Sequence, residues 1–194
     1  HVPMLLKTFE KLAPHFDQTI LMSYPPFLKD FIDEGEREGI DRKKYRLRIL
    51  TAAEGYSEKF RNYLADISGA DPVNDMVNIY GTVEQGTIAR ETAFGNLIRR
   101  IACDDRAVFK TLFPNATNVP TLAQYDPRQV YFEEVNGEVV ATSYGSSIPL
   151  VRYSFGDLGG VIPFDDMLKK LSASGIDSMR EAKKNGITAS ILRL

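Results

Sequence analysis

Tyr45-Arg-Leu-Arg-Ile-Leu-Thr51, the turn Ala52-Ala-Glu-Gly-Tyr56 and the segment that opens at Ser57 decide the fold class. The first run alternates and reads as a strand. Ser57 is a good N-cap for a helix that places Phe60, Tyr63, Leu64 and Ile67 on one face, and Gly69 ends it. Met76-Val-Asn-Ile-Tyr80 is the next strand, followed by Gly81-Thr-Val-Glu-Gln-Gly86. Upstream the unit recurs. Thr19-Ile-Leu-Met-Ser-Tyr24 is a short apolar strand, Pro25-Pro26 can open a helix, and Phe27, Leu28, Phe31 and Ile32 share its inner face up to Gly39. Leu5, Phe9 and Leu12 place one more amphipathic helix over residues 2–13. Strands alternating with helices specify βαβ units and a mostly parallel, two-sided sheet.

The second half has a different grammar. Ala93–Arg100 and Arg106–Phe113 read as two short helices around Cys103. Val130–Val135 and Glu138–Ser143 flank Asn136-Gly137, the pair favoured in a type I′ hairpin turn. Pro149–Ser154 is a further strand, Met167–Leu171 and Ser178–Lys184 are helical, and Ile187–Leu194 is β-like. The expected class is α/β: a three-layer, mostly parallel sheet flanked by helices, then a smaller β-rich hairpin subdomain. The expected division is residues 1–115, an α/β nucleotide-binding part; 116–162, the β-rich part; and 163–194, a helical tail.

Composition excludes several functions. A net charge of −2 is too close to neutral for a binder dominated by nucleic-acid phosphates. One cysteine, Cys103, excludes an intramolecular disulfide framework and a Cys-rich metal site, and two histidines, His1 and His15, argue against a His cluster. No apolar run is long enough to span a membrane and no signal peptide is legible, so a cytoplasmic location is expected. Cys103 follows Leu97, Ile98 and Ile101 and is expected to be buried. His15 reads as a surface turn residue, and the charges of Glu34–Glu38 and Asp41–Lys44 as a solvated helix end and loop. Both ends look cut, so the chain is expected to be part of a longer polypeptide.

In an open parallel sheet, ligands bind beyond the carboxyl ends of the strands. Three loops qualify, Ala52–Tyr56, Gly81–Gly86 and Phe155–Gly160, and each sets a carboxylate beside glycine: Glu54, Glu84 and Asp157. Glycine admits close backbone approach, and a carboxylate can hold Mg²⁺ or accept from sugar hydroxyls. Glycine with an acid is also ordinary turn chemistry.

The order of the motifs is more specific. Arg48-Ile-Leu-Thr-Ala-Ala-Glu-Gly-Tyr-Ser57, Asn78-Ile-Tyr-Gly-Thr-Val-Glu-Gln-Gly86, Glu138-Val-Val-Ala-Thr-Ser143 and Pro149-Leu-Val-Arg-Tyr-Ser-Phe-Gly-Asp-Leu158 resemble successive motifs of adenylate-forming enzymes. The branch they look most like is the phenylacetate–coenzyme A ligase group, which includes coenzyme F390 synthetase-like proteins. The resemblance spans roughly residues 19–160. It implies that a carboxylic acid attacks ATP to give acyl-AMP and pyrophosphate, after which a thiol, often coenzyme A, takes the acyl group. It implies catalytic roles for Glu84 and Thr82, with Glu84 approaching Mg²⁺. Tyr80 and Gly81 would border adenine, as would the Ala53-Glu54-Gly55 turn, and Asp157 would hold the ribose hydroxyls. The implied partners are a small carboxylic acid, ATP (leaving as AMP) and coenzyme A, with no nucleic acid and no membrane; a homodimer is left open.

The chain departs from the family in places. Val83 stands where relatives carry a hydroxyl, Ala52-Ala53 where they carry glycine, and Ser154-Phe155-Gly156 where an Arg-Thr pair is frequent. The phosphate loop would precede His1 and a lysine-bearing lid would follow Leu194, so the chain alone is expected to be inactive. The rival reading is a non-catalytic relative that binds a nucleotide or a partner protein. A flavodoxin-like carrier is disfavoured, because Tyr24-Pro25-Pro26 offers few N–H donors to a phosphate.

Overall fold

The computed structural model describes residues 2–144 and 148–187. Its contacts divide the chain into two compact units, His1–Ile79 and Tyr80–Leu194. No helix among the described residues is long and apolar enough to cross a membrane.

The first unit runs α1 (Val2–Leu12), β1 (Thr19–Ser23), α2 (Pro25–Arg37), β2 (Leu47–Thr51), α3 (Glu58–Ser68) and the start of β3 (Met76–Thr82). The predicted signals form these boundaries. Pro25 and Pro26 occupy the first turn of α2, where a missing N–H removes no intrahelical bond. Ser57 Oγ accepts from the Phe60 N–H at 3.3 Å, and Gly69 closes α3 at φ +75° with its N–H on Ala65 O. β1, β2 and β3 pair in parallel, Thr19 beside Leu47 and Thr51 beside Asn78. Leu6 and Phe9 of α1, Leu28 and Ile32 of α2, and Leu64 of α3 share one core with Leu47, Ile49 and Met76.

Arg42 departs from expectation. It lies in a short 3₁₀ turn and is buried at 1% exposure, not solvated with its neighbours. Its guanidinium lies over Gly35, where a Cβ would come within 2.0 Å of Nη1, and its nearest anion is Glu36 at 3.4 Å. The absent side chain at Gly35 makes room for the charge.

β3 carries the chain into the second unit. There follow β4 (Gly86–Arg90), α4 (Ala93–Asp104), α5 (Arg106–Leu112), β5 (Val130–Val135), β6 (Glu138–Ser143), β7 (Leu150–Leu158), α6 (Phe164–Ala173) and α7 (Ser178–Lys184). β4 neighbours β3, and three intervening residues force it antiparallel, so the expected parallel sheet is a mixed one. β5, β6 and β7 form a separate antiparallel sheet. Its first hairpin turns at Asn136 (φ +55°) and Gly137 (φ +83°), as the Asn-Gly pair specifies. The core of this unit gathers Ile88, Val130, Phe132 and Ala141.

Three further expectations change. β4 was not foreseen. The segment Phe155–Leu158, read as loop, belongs to β7. Cys103 is exposed within α4, because it follows Ala102 by one residue and so leaves the buried stripe of Phe94, Leu97, Ile98 and Ala102. His15 is exposed as expected. The β-like run expected after Ile187 lies outside the described residues.

Gly81 has a steric duty. A Cβ there would sit 2.0 Å from Gly86 O and 2.9 Å from its carbonyl carbon, so the β3–β4 hairpin closes only on glycine. Gly81→Ala is expected to destabilise the protein by about 1–3 kcal/mol, because backbone must shift to admit the methyl. Urea denaturation measures it; an unchanged midpoint would contradict the close approach.

Candidate functional site

In the first unit the candidate residues leave the carboxyl end of β2. Thr51 and Asn78 are buried at paired positions of β2 and β3. Thr51 Oγ1 donates to Asn78 Oδ1 at 3.1 Å, and Asn78 Nδ2 donates to Glu54 O at 3.0 Å. The Asn78 amide thus ties the loop backbone to the neighbouring strand and frees the Glu54 carboxylate from that task. Ala53, Glu54 and Gly55 are exposed. Ala53 has φ +74°, the left-handed region where an L side chain is strained. Behind the loop the fully buried Arg61 lies 4.9 Å from the Tyr56 ring centroid, 3.1 Å from Glu58 and 3.5 Å from Met76 O. A guanidinium so placed shares its charge among a carboxylate, a carbonyl and an aromatic face.

In the second unit Tyr80 is the hub. Its ring meets Phe155 edge-on at 5.7 Å and lies 6.5 Å from Phe132. Its hydroxyl donates to Asp157 Oδ2 at 2.7 Å. Residues 77 positions apart in sequence are therefore bonded side chain to side chain. Burial of the phenol, followed by the hydrogen bond to Asp157 and the charge of that carboxylate, pushes the Tyr80 pKa well above its ordinary 10. Asp157 is exposed on β7, next to Gly156 at φ +74°. A carboxylate held on one oxygen by a phenol and open to solvent can accept from a polyol on the other.

The turn after β3 divides its residues by role. Thr82 Oγ1 accepts from the Gln85 N–H at 3.2 Å and so closes the turn. Val83 is fully exposed at the tip, which rules out core packing there. Glu84 is exposed beside it, and Gly81 underlies the hairpin. Among the described residues no three His, Cys, Asp or Glu side chains are grouped to hold a metal ion. The exposed Glu84 carboxylate fits Mg²⁺ of the kind that takes one or two protein carboxylates and completes its shell with substrate phosphate and water.

Thr51, Asn78 and Phe155 were not singled out from the sequence. The signal for the first two was there: each is a polar residue at an inward position of its strand, Thr51 after Leu47 and Ile49, and Asn78 after Met76.

No family model matches the sequence, and no curated protein matches it. Solved structures do. An open conformation of 2-hydroxyisobutyryl-CoA ligase in complex with 2-HIB-AMP and CoA superposes with a TM-score of 0.59 at 12% identity, over 81% of this chain and 33% of that one. The same ligase in its postadenylation state with 2-HIB-AMP gives 0.59 at 12% identity, over 82% and 30%; with R3-HIB-AMP it gives 0.57 at 12%, over 81% and 30%. The protein thus shares its fold with part of 2-hydroxyisobutyryl-CoA ligase. The chain spans about a third of the length of those ligases.

Ala53→Gly is expected to raise stability by about 0.5–1 kcal/mol, since it removes the strained Cβ at little other loss. A lower urea midpoint would contradict the left-handed backbone at that position. Tyr80 generates a pH effect. Its folded-state pKa lies above the unfolded value, so its contribution is complete below pH 10 and is lost as pH rises toward the folded pKa. Between pH 10 and 12 the melting temperature of the wild type is expected to fall more steeply than that of Tyr80→Phe. Parallel curves would refute the assignment.

Proposed function

We propose that the chain is the central, nucleotide-binding part of an ATP-dependent acid–thiol ligase. A carboxylic acid attacks the α-phosphorus of ATP, pyrophosphate leaves, and the acyl-AMP then passes its acyl group to a thiol, with coenzyme A as acceptor and AMP released. The observation that carries this reading is the Tyr80–Asp157 hydrogen bond, which joins the tyrosine of one motif to the aspartate of another. Shared fold with ligases crystallised with acyl-AMP and CoA supports it.

In this reading Tyr80 and Gly81 of the second unit border adenine, while the nucleotide-binding role of Ala53, Glu54 and Gly55 in the first unit is carried by the resemblance of their motif. Asp157 accepts from the ribose hydroxyls, its orientation set by Tyr80. Thr82 and Glu84 face the phosphates, and Glu84 holds Mg²⁺. When bound, the ion neutralises charge that builds on the phosphate oxygens. Glu84 places one carboxylate there, and its exposure at the turn tip leaves it free to reorient toward a ligand. The chain by itself is proposed to be inactive, and its parent to act in the cytoplasm.

The acid is left open: the sequence motifs resemble the phenylacetate–coenzyme A ligase branch without fixing the acyl group. The structural neighbours carry a 2-hydroxyisobutyryl group instead, so a panel must include arylacetic and short hydroxy acids. Val83, fully exposed and without a hydroxyl, favours a second reading, a nucleotide-binding relative without adenylation activity. Calorimetric titration of the complete gene product with ATP-Mg²⁺, together with pyrophosphate release over the panel, separates the two. Binding without pyrophosphate from any acid selects the second.

Asp157→Ala in the complete enzyme is expected to raise the KM for ATP roughly tenfold to a hundredfold, the loss of two charge-assisted hydrogen bonds. Steady-state kinetics at saturating acid reads it, and an unchanged KM in a folded variant removes the ribose role. Glu84→Gln keeps size and deletes charge. Its kcat for adenylation is expected to fall by about two orders of magnitude, with a smaller effect on nucleotide affinity. Full activity of this variant in a pyrophosphate-exchange assay would show that the turn does not hold the metal.

A further inference from the structure

The inward-facing residues of β2 are all buried, whereas those of β1, one strand further out, are only half buried. β1 is the edge of the parallel set, and Ile20 and Met22 on its other face are 58% and 65% exposed. Parallel sheets are normally covered on both faces, and an edge strand leaves a row of N–H and C=O groups open to pairing. Along β1 runs a groove of about 420 Å³ lined by α1, all five residues of β1 and α2. Leu5, Leu12, Phe16, Met22 and Phe27 contribute to it, and among the described residues no Asp, Glu, Lys or Arg lines it. Its occupant is therefore apolar.

Backbone geometry says how that occupant binds. The Thr19 N–H donates to Arg46 O at 3.0 Å, toward β2. Strand alternation then turns the N–H groups of Ile20 and Met22 to the open edge, beside the groove. An extended segment of about five residues would pair there over about 17 Å.

Connectivity says where it comes from. α2 links β1 to β2 and α3 links β2 to β3, both sharing the core on one sheet face. α1 shares that core and also lines the groove. A right-handed crossover taken one step back through α1 starts from a strand on the open edge of β1. We propose that an extended apolar strand, supplied by the polypeptide on the N-terminal side of α1, lies in this groove parallel to β1 and completes the sheet. The sheet requires this strand whether or not Tyr80 and Asp157 bind nucleotide.

Hydrogen exchange read by mass spectrometry on the complete gene product and on the 194-residue chain tests it. Peptides covering residues 19–23 are expected to exchange at least tenfold more slowly in the complete product, together with a protected peptide N-terminal to α1. Ile20→Pro, which deletes an outward N–H, is expected to release both in the complete product. Leu12→Lys, at an exposed position lining the groove, serves the same end without touching the strand. Equal exchange in the two proteins overturns the proposal. So does a gene product that begins at position 1, protection traced to a segment beyond residue 194, or protection that rises with concentration and marks a second copy in the groove.

Discussion

Parallel pairing of β1, β2 and β3 is the constraint on which the first unit rests. It obliges the chain to cross back through a helix after every strand, and it sends each strand's carboxyl end to the same edge. Thr51 and Asn78 meet because of it, as register partners rather than sequence neighbours. Their hydrogen bonds then convert a strand register into a loop conformation, since Asn78 grips Glu54 O. The strain at Ala53 persists because this grip holds the neighbouring residue of the turn in place.

The second unit solves a different problem. A half-buried phenol beside an exposed carboxylate needs an apolar wall on one side and water on the other. Phe132, Phe155 and Tyr153 supply the wall, and the bend at Gly156 brings Asp157 out to solvent. Burial, and then the hydrogen bond to Asp157, keep the phenol protonated, and so it donates. This is a suitable anchor for a group rich in hydroxyls.

Much of this was legible in the sequence where the signal was local. Ser57 and Gly69 announce α3, and Asn136-Gly137 announces its hairpin, because caps and tight turns are set by residues within a few positions. Tyr80 and Asp157 stood out as motif residues, and the structure bonds them to each other. What was missed depends on distant contacts. β4 is five residues long and reads as the end of a glycine-flanked loop until the β3 edge pairs with it. Arg42 carries every mark of a surface charge, and only the bare Cα of Gly35, seven positions earlier, lets it in. The extension of β7 through Phe155 and Asp157 needs the β6 edge as a template, since its own sequence contains a glycine.

The hairpin at Gly81–Gly86 separates what folding demands from what chemistry could use. Its base tolerates nothing larger than a hydrogen atom at Gly81, while the side chain of Val83 touches solvent alone. Selection on stability therefore acts on one end of the hairpin and is silent at the other. A lineage can trade a hydroxyl for an isopropyl group at the tip, and back again, by single codon changes that leave the fold indifferent. Whatever the tip of this hairpin does, its side chains can change without a cost in folding that would hold them in place.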